Sequence, residues 1–232
     1  MKIITVIPAR GGSKSIPKKN IQLLNNKPLL SYSIEYSLRS KIVKKTIVST
    51  DSEEISNVAL KSGADVPFLR PAQLANDSSR DYEFMRHALD FFENKNEIYD
   101  FFVLLRPTSP LRPDGLIEKA MEIFTTNLNA SSVRSVAKVK EHPYRTWMKD
   151  SSGAIKSIFK EIEEPYNLPR QELPNIFFQT GDIEVVSRDT LLKGSISGSN
   201  VYPLIINHQD MIDIDNWEDF TKAAEFIKIW NF

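Results

Sequence analysis

Short apolar runs alternate with segments of helical spacing through the first two thirds of the chain. Residues 3–8 form the first run and read as a buried strand. Residues 28–40 carry Leu29, Leu30, Ile34 and Leu38 on one side, the spacing of an amphipathic helix. A strand at 46–49 leads to a helix capped by Asp51 or Ser52 and reaching Lys61. A short strand at 65–68 precedes a helix at 82–94 with Phe84, Ala88, Phe91 and Phe92 inward. The run at 100–105 is almost wholly apolar, as a strand buried on both faces is. A helix at 113–126 and a strand at 131–139 follow. This alternation predicts an α/β fold, a doubly wound and mostly parallel sheet with right-handed crossovers.

The pattern breaks at about 141–175, which holds His142-Pro143, Glu164-Pro165, Leu168-Pro169 and Leu173-Pro174. Proline removes a backbone donor and opposes helices and central strands. The segment therefore predicts an extended excursion from a single domain spanning 1–232, reaching over the site or into a partner subunit. Strands at 176–186 and 201–206 and a helix at 216–230 restore regularity.

Composition narrows the function classes. The 232 residues carry 30 Lys+Arg against 30 Asp+Glu, without the basic excess of a general nucleic-acid binder. The absence of cysteine excludes disulfides and thiolate chemistry. No apolar run approaches the roughly 18–20 residues of a membrane span, and the N-terminus lacks a signal-peptide pattern. The expectation is a cytoplasmic protein with neither nucleic acid nor membrane as partner.

Ligands in such sheets sit beyond the carboxyl ends of the strands. The polar residues placed there are Arg10 to Asn20, Ser49-Thr50-Asp51, Arg70, Arg106-Pro107-Thr108-Ser109, and Asp213 with Asp215. The first loop, Ala9-Arg10-Gly11-Gly12-Ser13-Lys14 continuing to Lys18-Lys19-Asn20, combines small residues with four cations. Glycines let backbone N–H groups approach phosphate oxygens, and Arg and Lys neutralise charge, so the loop reads as a polyphosphate site. It is neither a Walker A loop nor a dinucleotide fingerprint, since no Gly-Lys-Ser/Thr and no third glycine follow. Met211-Ile212-Asp213-Ile214-Asp215 alternates apolar and acidic residues, which puts both carboxylates on one side of an extended segment. Such a pair suits Mg²⁺ together with substrate phosphates; Asp215 also has the position of a helix N-cap. His87, His142 and His208 form no Ser/His/Asp arrangement, so the nucleophile is expected on the substrate.

These residues carry a family resemblance. Val6 to Lys14, Pro17-Lys18-Lys19-Asn20, Lys27-Pro28-Leu29, Val48-Ser49-Thr50-Asp51, Leu69-Arg70-Pro71, Leu104 to Arg112, Pro169-Arg170-Gln171 and Ile212 to Asp215 together resemble the acylneuraminate cytidylyltransferases, the CMP-sialic acid synthetases. The resemblance spans almost the whole chain. It implies a Rossmann-like nucleotidyltransferase that uses CTP, an acidic sugar and Mg²⁺, as a homodimer with the excursion as dimerisation or lid segment. It implies catalytic roles for Arg10, Lys19, Asp213 and Asp215, the two aspartates as metal ligands. Ala9, Gly11, Gly12, Ser13, Asn20, Arg70, Ser79 and Asp81 would join Arg10 and Lys19 around the nucleotide. Arg106, Thr108, Ser109, Arg145, Arg170, Gln171, Thr180, Gly181 and Glu184 would meet the acceptor. The chain departs from the family at Arg106 (usually Gln), Thr180 (Asn), Glu184 (Tyr), Arg145 (Lys) and Asp81 (Ser). New charges around the acceptor, Arg106, Asp182 and Glu184, point to a sialic-acid-like sugar other than N-acetylneuraminic acid, for example a legionaminic type; the other reading is that Arg106 pairs with Asp182 or Glu184 and these charges never meet the ligand. The alternative is another acceptor, such as a sugar phosphate or phosphonate, with another NTP.

Overall fold

Six strands form one sheet in the order β10-β6-β9-β5-β1-β4: β1 (Ile3–Pro8), β4 (Val43–Ser49), β5 (Phe101–Leu104), β6 (Ser132–Lys138), β9 (Phe177–Ser187) and β10 (Val201–Ile205). The computed structural model describes residues 1–207 and 212–230, so His208 and Met211 lie outside the described residues. β1 pairs in parallel with β4 and β5, and β6 with β10. β9 runs antiparallel between β5 and β6, so the sheet is mixed although mostly parallel in plan.

Helices cover both faces, as the apolar spacing requires. On one face α1 (Leu29–Arg39) and α4 (Leu116–Thr126) bury Leu30, Ile34, Ile117, Met121 and Phe124 against Ile7, Val48 and Val103. On the other, α3 (Asp81–Glu93) buries Phe84, Met85, Leu89 and Phe92 against Ile4, Val6 and Phe102. α2 (Glu53–Lys61) starts at Ser52, whose hydroxyl accepts from the Ile55 amide; Ser52 is thus the cap and Asp51 is free for other work. A tiny hairpin, β2 (Leu23–Leu24) with β3 (Lys27–Pro28), turns at Asn25-Asn26, both at positive φ, as a type I′ turn demands.

A third apolar cluster positions the site. Ile16 of the basic loop and Ile214 of the aspartate segment share a core with Leu24, Leu29, Leu111, and Phe220 and Ile227 of α6 (Trp217–Trp230). Two polar segments some 200 residues apart in sequence are thus held side by side by their buried isoleucines.

The expected strand at 65–68 is not a strand. It makes only isolated bridges, Ile47 with Asp65 and Thr50 with Leu69, because Pro67 has no N–H to extend the ladder. The expected helix at 113–126 starts three residues later, after Gly115 at φ 76°. The 141–175 excursion contains a separate hairpin, β7 (Trp147–Lys149) with β8 (Ile155–Ser157), and three short 3₁₀ turns. Tyr166 packs on Trp147 with ring centres 4.3 Å apart, and Tyr144 on Phe159 at 4.8 Å. Trp147, Met148, Ile155 and Ile158 remain exposed. α5 (Arg188–Leu192) links β9 towards β10.

Candidate active site

β1 ends at the carboxyl edge of the sheet, where the Ala9 amide donates to the Ser49 carbonyl at 3.0 Å. The Gly11 amide donates to Asp51 Oδ1 at 2.8 Å, and a Cβ on Gly11 would stand 3.3 Å from Ser52 Cβ, a tight contact where the two loops approach. Asn20, nearly buried, donates to the Arg10 carbonyl at 3.0 Å and closes the loop on itself. Lys18 leaves the cleft for Glu54, 2.7 Å away.

A cleft of about 480 Å³ opens over this edge. Arg10, Ser13, Lys14, Lys19, Asn20, Arg70, Ser79, Asp81, Arg106, Thr108 and Asp215 line it, drawn from five separate stretches of sequence. Asn76, Asp77 and Phe84 line it as well and carried no signal for the site in the sequence, while Ser15 and Pro107 belong to the strand-end stretches already singled out. Asp77 pairs with Arg10 Nη1 at 2.7 Å and also with Lys14 Nζ, and these cations hold its carboxyl below the usual range. The two loop cations share Asp77 as an internal counter-anion.

Lys19 bridges the two polar segments. Its Nζ donates to the Ile214 carbonyl at 2.8 Å and lies 4.0 Å from Asp215 Oδ1. Ile214 is fully buried while Asp213 and Asp215 are exposed, so the expected alternation holds over the described residues. Asp215 is not the cap of α6. Asn216 Oδ1 accepts from the Asp219 amide, and the Asp219 carboxylate accepts from the Asp215 and Asn216 amides. The Asp215 carboxylate is therefore available to the cleft. Among the described residues, no group of three or more His, Asp or Glu is arranged to hold a metal.

At the end of the cleft bearing Ser79 and Asp81, Arg70 lies over the Phe84 ring, 4.7 Å from its centre, and donates to Ser49 Oγ at 3.0 Å. Burial lowers its pKa to about 10, still charged at neutral pH. Arg106 reaches into the cleft, but its fork is already engaged. Nη1 donates to Glu184 Oε1 at 2.5 Å and Nη2 donates to Asp81 Oδ2. Glu184 is also 2.9 Å from Arg134 Nη2 and accepts from Gln179 Nε2 at 2.8 Å. Burial pulls the Arg106 pKa down, and Glu184 and Asp81 more than offset this, leaving it above its ordinary value.

Arg106 and Glu184 thus pair with each other, which is the alternative to an acceptor contact. Glu184 and Thr180 are buried, Glu184 among guanidinium groups and Thr180 with its hydroxyl on Ser135 Oγ at 2.9 Å. The cause is a bulge. Between Arg134 and Val136 of β6 the register jumps from Glu184 to Gln179 on β9, Gly181 takes φ 79°, and Ser135 Oγ ties Thr180 to Ile183. Ser109 is also fully buried. Asp182 is buried too, its carbonyl accepting from Arg112 Nε at 2.6 Å, and desolvation raises its carboxyl pKa. Arg112, buried and also bound to Ser33 Oγ at 2.9 Å, braces the loop from Arg106; the second Arg of LLRPTSPLR was its only sequence signal. Arg145 and Arg170 do not join the cleft. They line a second cavity of about 340 Å³ at the root of the excursion with Lys138, Lys140 and His142. Gln171 is exposed on the same excursion.

A basic, glycine-bearing loop at the carboxyl edge of a mostly parallel sheet, with an exposed carboxylate beside it in one cleft, is the layout of an α/β nucleotidyltransferase. The comparisons make the class specific. The chain belongs to the cytidylyltransferase family, whose model matches residues 4–147. It is 34% identical over 235 residues to the CMP-N,N'-diacetyllegionaminic acid synthase of Legionella pneumophila, covering 99% of this chain and 97% of that protein. It is 43% identical over 223 residues to the N-acylneuraminate cytidylyltransferase of Escherichia coli O18:K1:H7, covering 96% of this chain and 51% of that protein. In fold it resembles a CMP:2-keto-3-deoxy-manno-octonic acid synthetase solved with CTP, at TM-score 0.74 and 16% identity over 99% of this chain and 100% of that one.

Proposed function

We propose that the protein joins CMP from CTP to a nonulosonic acid and releases pyrophosphate. It is a nucleotidyltransferase of the CMP-nonulosonate type, in keeping with its family and with relatives named for legionaminic and N-acylneuraminic acids. The observation that carries the reading is the junction at Lys19, which ties the basic loop to the Ile214 carbonyl beside Asp215 in one cleft. A triphosphate fits between cations on one side and carboxylates on the other.

Arg10, Lys14 and Lys19 hold the phosphates; Arg70, Ser79, Asp81 and Phe84 frame the nucleoside. The anomeric hydroxyl oxygen of the sugar acid attacks the α-phosphorus, and the bond from that phosphorus to the bridging oxygen breaks. Pyrophosphate leaves and the hydroxyl proton passes to solvent. Asp213 and Asp215 offer hard oxygen donors on the outer side of a segment pinned by Ile214, which suits Mg²⁺ with phosphates and water as the other ligands. When bound, that ion offsets the triphosphate's charge. The acceptor is assigned by class only, because Arg106 and Glu184 are spent on each other.

The excursion is assigned to a homodimer. Its exposed Trp147, Met148, Ile155 and Ile158 would pack on a second copy and bring Arg145, Arg170 and Gln171 to the partner's cleft. No helix among the described residues is long and apolar enough to cross a membrane, and the proposed compartment is the cytoplasm. The test is pyrophosphate release over a matrix of four NTPs and several acceptors: legionaminic-type, N-acetylneuraminic and octulosonic acids, and sugar phosphates. CTP with a nonulosonic acid should lead by at least about tenfold. Leading activity with a sugar phosphate, or with another NTP, overturns the assignment.

A further inference from the structure

Arg106 sits in the cleft wall with both arms of its guanidinium occupied. One arm meets Glu184 on β9, in the middle of the sheet. Glu184 is fixed there by Arg134, its cross-strand neighbour on β6, and by Gln179. The other arm meets Asp81, the first residue of α3. Arg106 therefore ties a partly exposed carboxylate at a helix start to an anchor inside the sheet.

The consequence lies in the oxygen that is left. Arg106 takes Asp81 Oδ2, and no hydrogen bond or ion pair among the described residues engages Oδ1. Asp81 lines the cleft beside Arg70, Ser79 and Phe84. An ionised carboxylate only accepts hydrogen bonds. It can take one from the exocyclic amino group of cytosine, whereas uracil presents an oxygen at that position and would be repelled. An unrestrained Asp81 could swing toward solvent and lose this discrimination. A guanidinium with one arm on Asp81 and the other anchored to Glu184 prevents that, since its planar fork fixes the direction of both partners.

We propose that Arg106 is a positioning residue that sets base selection by holding Asp81 in place, and does not itself contact the acceptor. The assignment rests on the nucleotide site of the proposed function. Arg106 is the joint of an Asp81–Arg106–Glu184 unit in which two acids balance the guanidinium of Arg106 and, with Arg134, leave the cluster without net charge.

The experiment is calorimetric binding of CTP and of UTP to the full chain, without acceptor, for the parent protein, Asp81→Asn, Arg106→Gln and the double variant. The parent should favour CTP. Asp81→Asn should lower the CTP-to-UTP affinity ratio by about tenfold, since an amide can donate to uracil. Arg106→Gln should lower the same ratio, and adding it to Asp81→Asn should change the ratio little further, because both act through one carboxylate. Arg106→Lys, which keeps the charge but cannot fork, should fall between parent and Arg106→Gln. A purely structural Arg106 would weaken CTP and UTP equally and leave the ratio unchanged, and that result overturns the proposal; so do additive effects in the double variant. If Arg106→Gln does not fold, Asp81→Asn and Arg106→Lys carry the same test. Normal nucleotide discrimination in a protein that transfers nothing to a sugar acid would instead overturn the proposed function and leave this assignment standing.

Discussion

Replacing Glu184 with Ala removes the one acid shared by two guanidinium groups. Glu184 is 2% exposed in its side chain, while Arg106 and Arg134 are 22% and 19% exposed. Breaking a buried ion pair from one side typically destabilises by 3–5 kcal/mol, because a charge stays behind without its partner. Here both guanidinium groups keep a second partner, Asp81 for Arg106 and Gln179 for Arg134, and each keeps contact with water. The lower end applies, about 3 kcal/mol. For a domain of this size that is a Tm drop of about 6–12 °C. The Glu184→Gln variant keeps one acceptor oxygen and the side-chain volume, so it should lie between. Urea unfolding at constant m-value gives the free energy, and thermal melts give the shift. Repeating the melts in high salt should leave the deficit in place, since buried pairs are screened little. A Glu184→Ala protein that melts within about 1 °C of the parent would refute the claim that Glu184 anchors this network.

Three other expectations follow from the site and its flanks. Asp213→Asn and Asp215→Asn should each reduce turnover by about tenfold or more with little change in Tm, because both carboxylates are exposed; unchanged Mg²⁺-dependent turnover in the double variant would end the metal assignment. Asp77→Asn should tighten CTP binding by about threefold, measured by calorimetry, since the ligand no longer displaces an internal anion from Arg10 and Lys14; weaker binding would make Asp77 a support of the loop. His87 packs edge-on to Phe68 at 4.5 Å, and burial, then Arg70, lowers its pKa below 6.5. The unfolded chain therefore binds more protons there, and stability should fall as pH drops below 6.5; urea midpoints of parent and His87→Gln that run parallel from pH 7 to pH 5 would contradict this.

The sequence made local order legible and left long-range pairing hidden. Apolar runs and helical spacing placed β1, β5, α1, α2, α3 and α6 within a few residues, since each buries a face that its own residues define. The polar residues at the strand ends were found the same way, and Arg10, Lys19, Arg70, Arg106 and Asp215 meet in one cleft. The direction of β9 was not legible, because periodicity is the same in parallel and antiparallel strands. The pairing of Arg106 with Glu184 joins residues 78 apart, and the bulge that buries Thr180 is set by Ser135 on another strand. The pairing stands in the sequence only as one alternative to an acceptor contact, and the burial of Thr180 cannot be read until the sheet is assembled. Asp77 carries no local signal at all, being one acid in a polar loop. Arg145 and Arg170 line a separate cavity at the root of the excursion, which carries its own hairpin.

The most direct test of the central claim is ³¹P NMR of the protein incubated with CTP, Mg²⁺ and a nonulosonic acid. The account predicts that the three CTP resonances give way to pyrophosphate and one phosphodiester resonance in equal molar amounts, and only when the sugar acid is present. Formation of CDP or orthophosphate in its place, or pyrophosphate release that ignores the sugar acid, would contradict it.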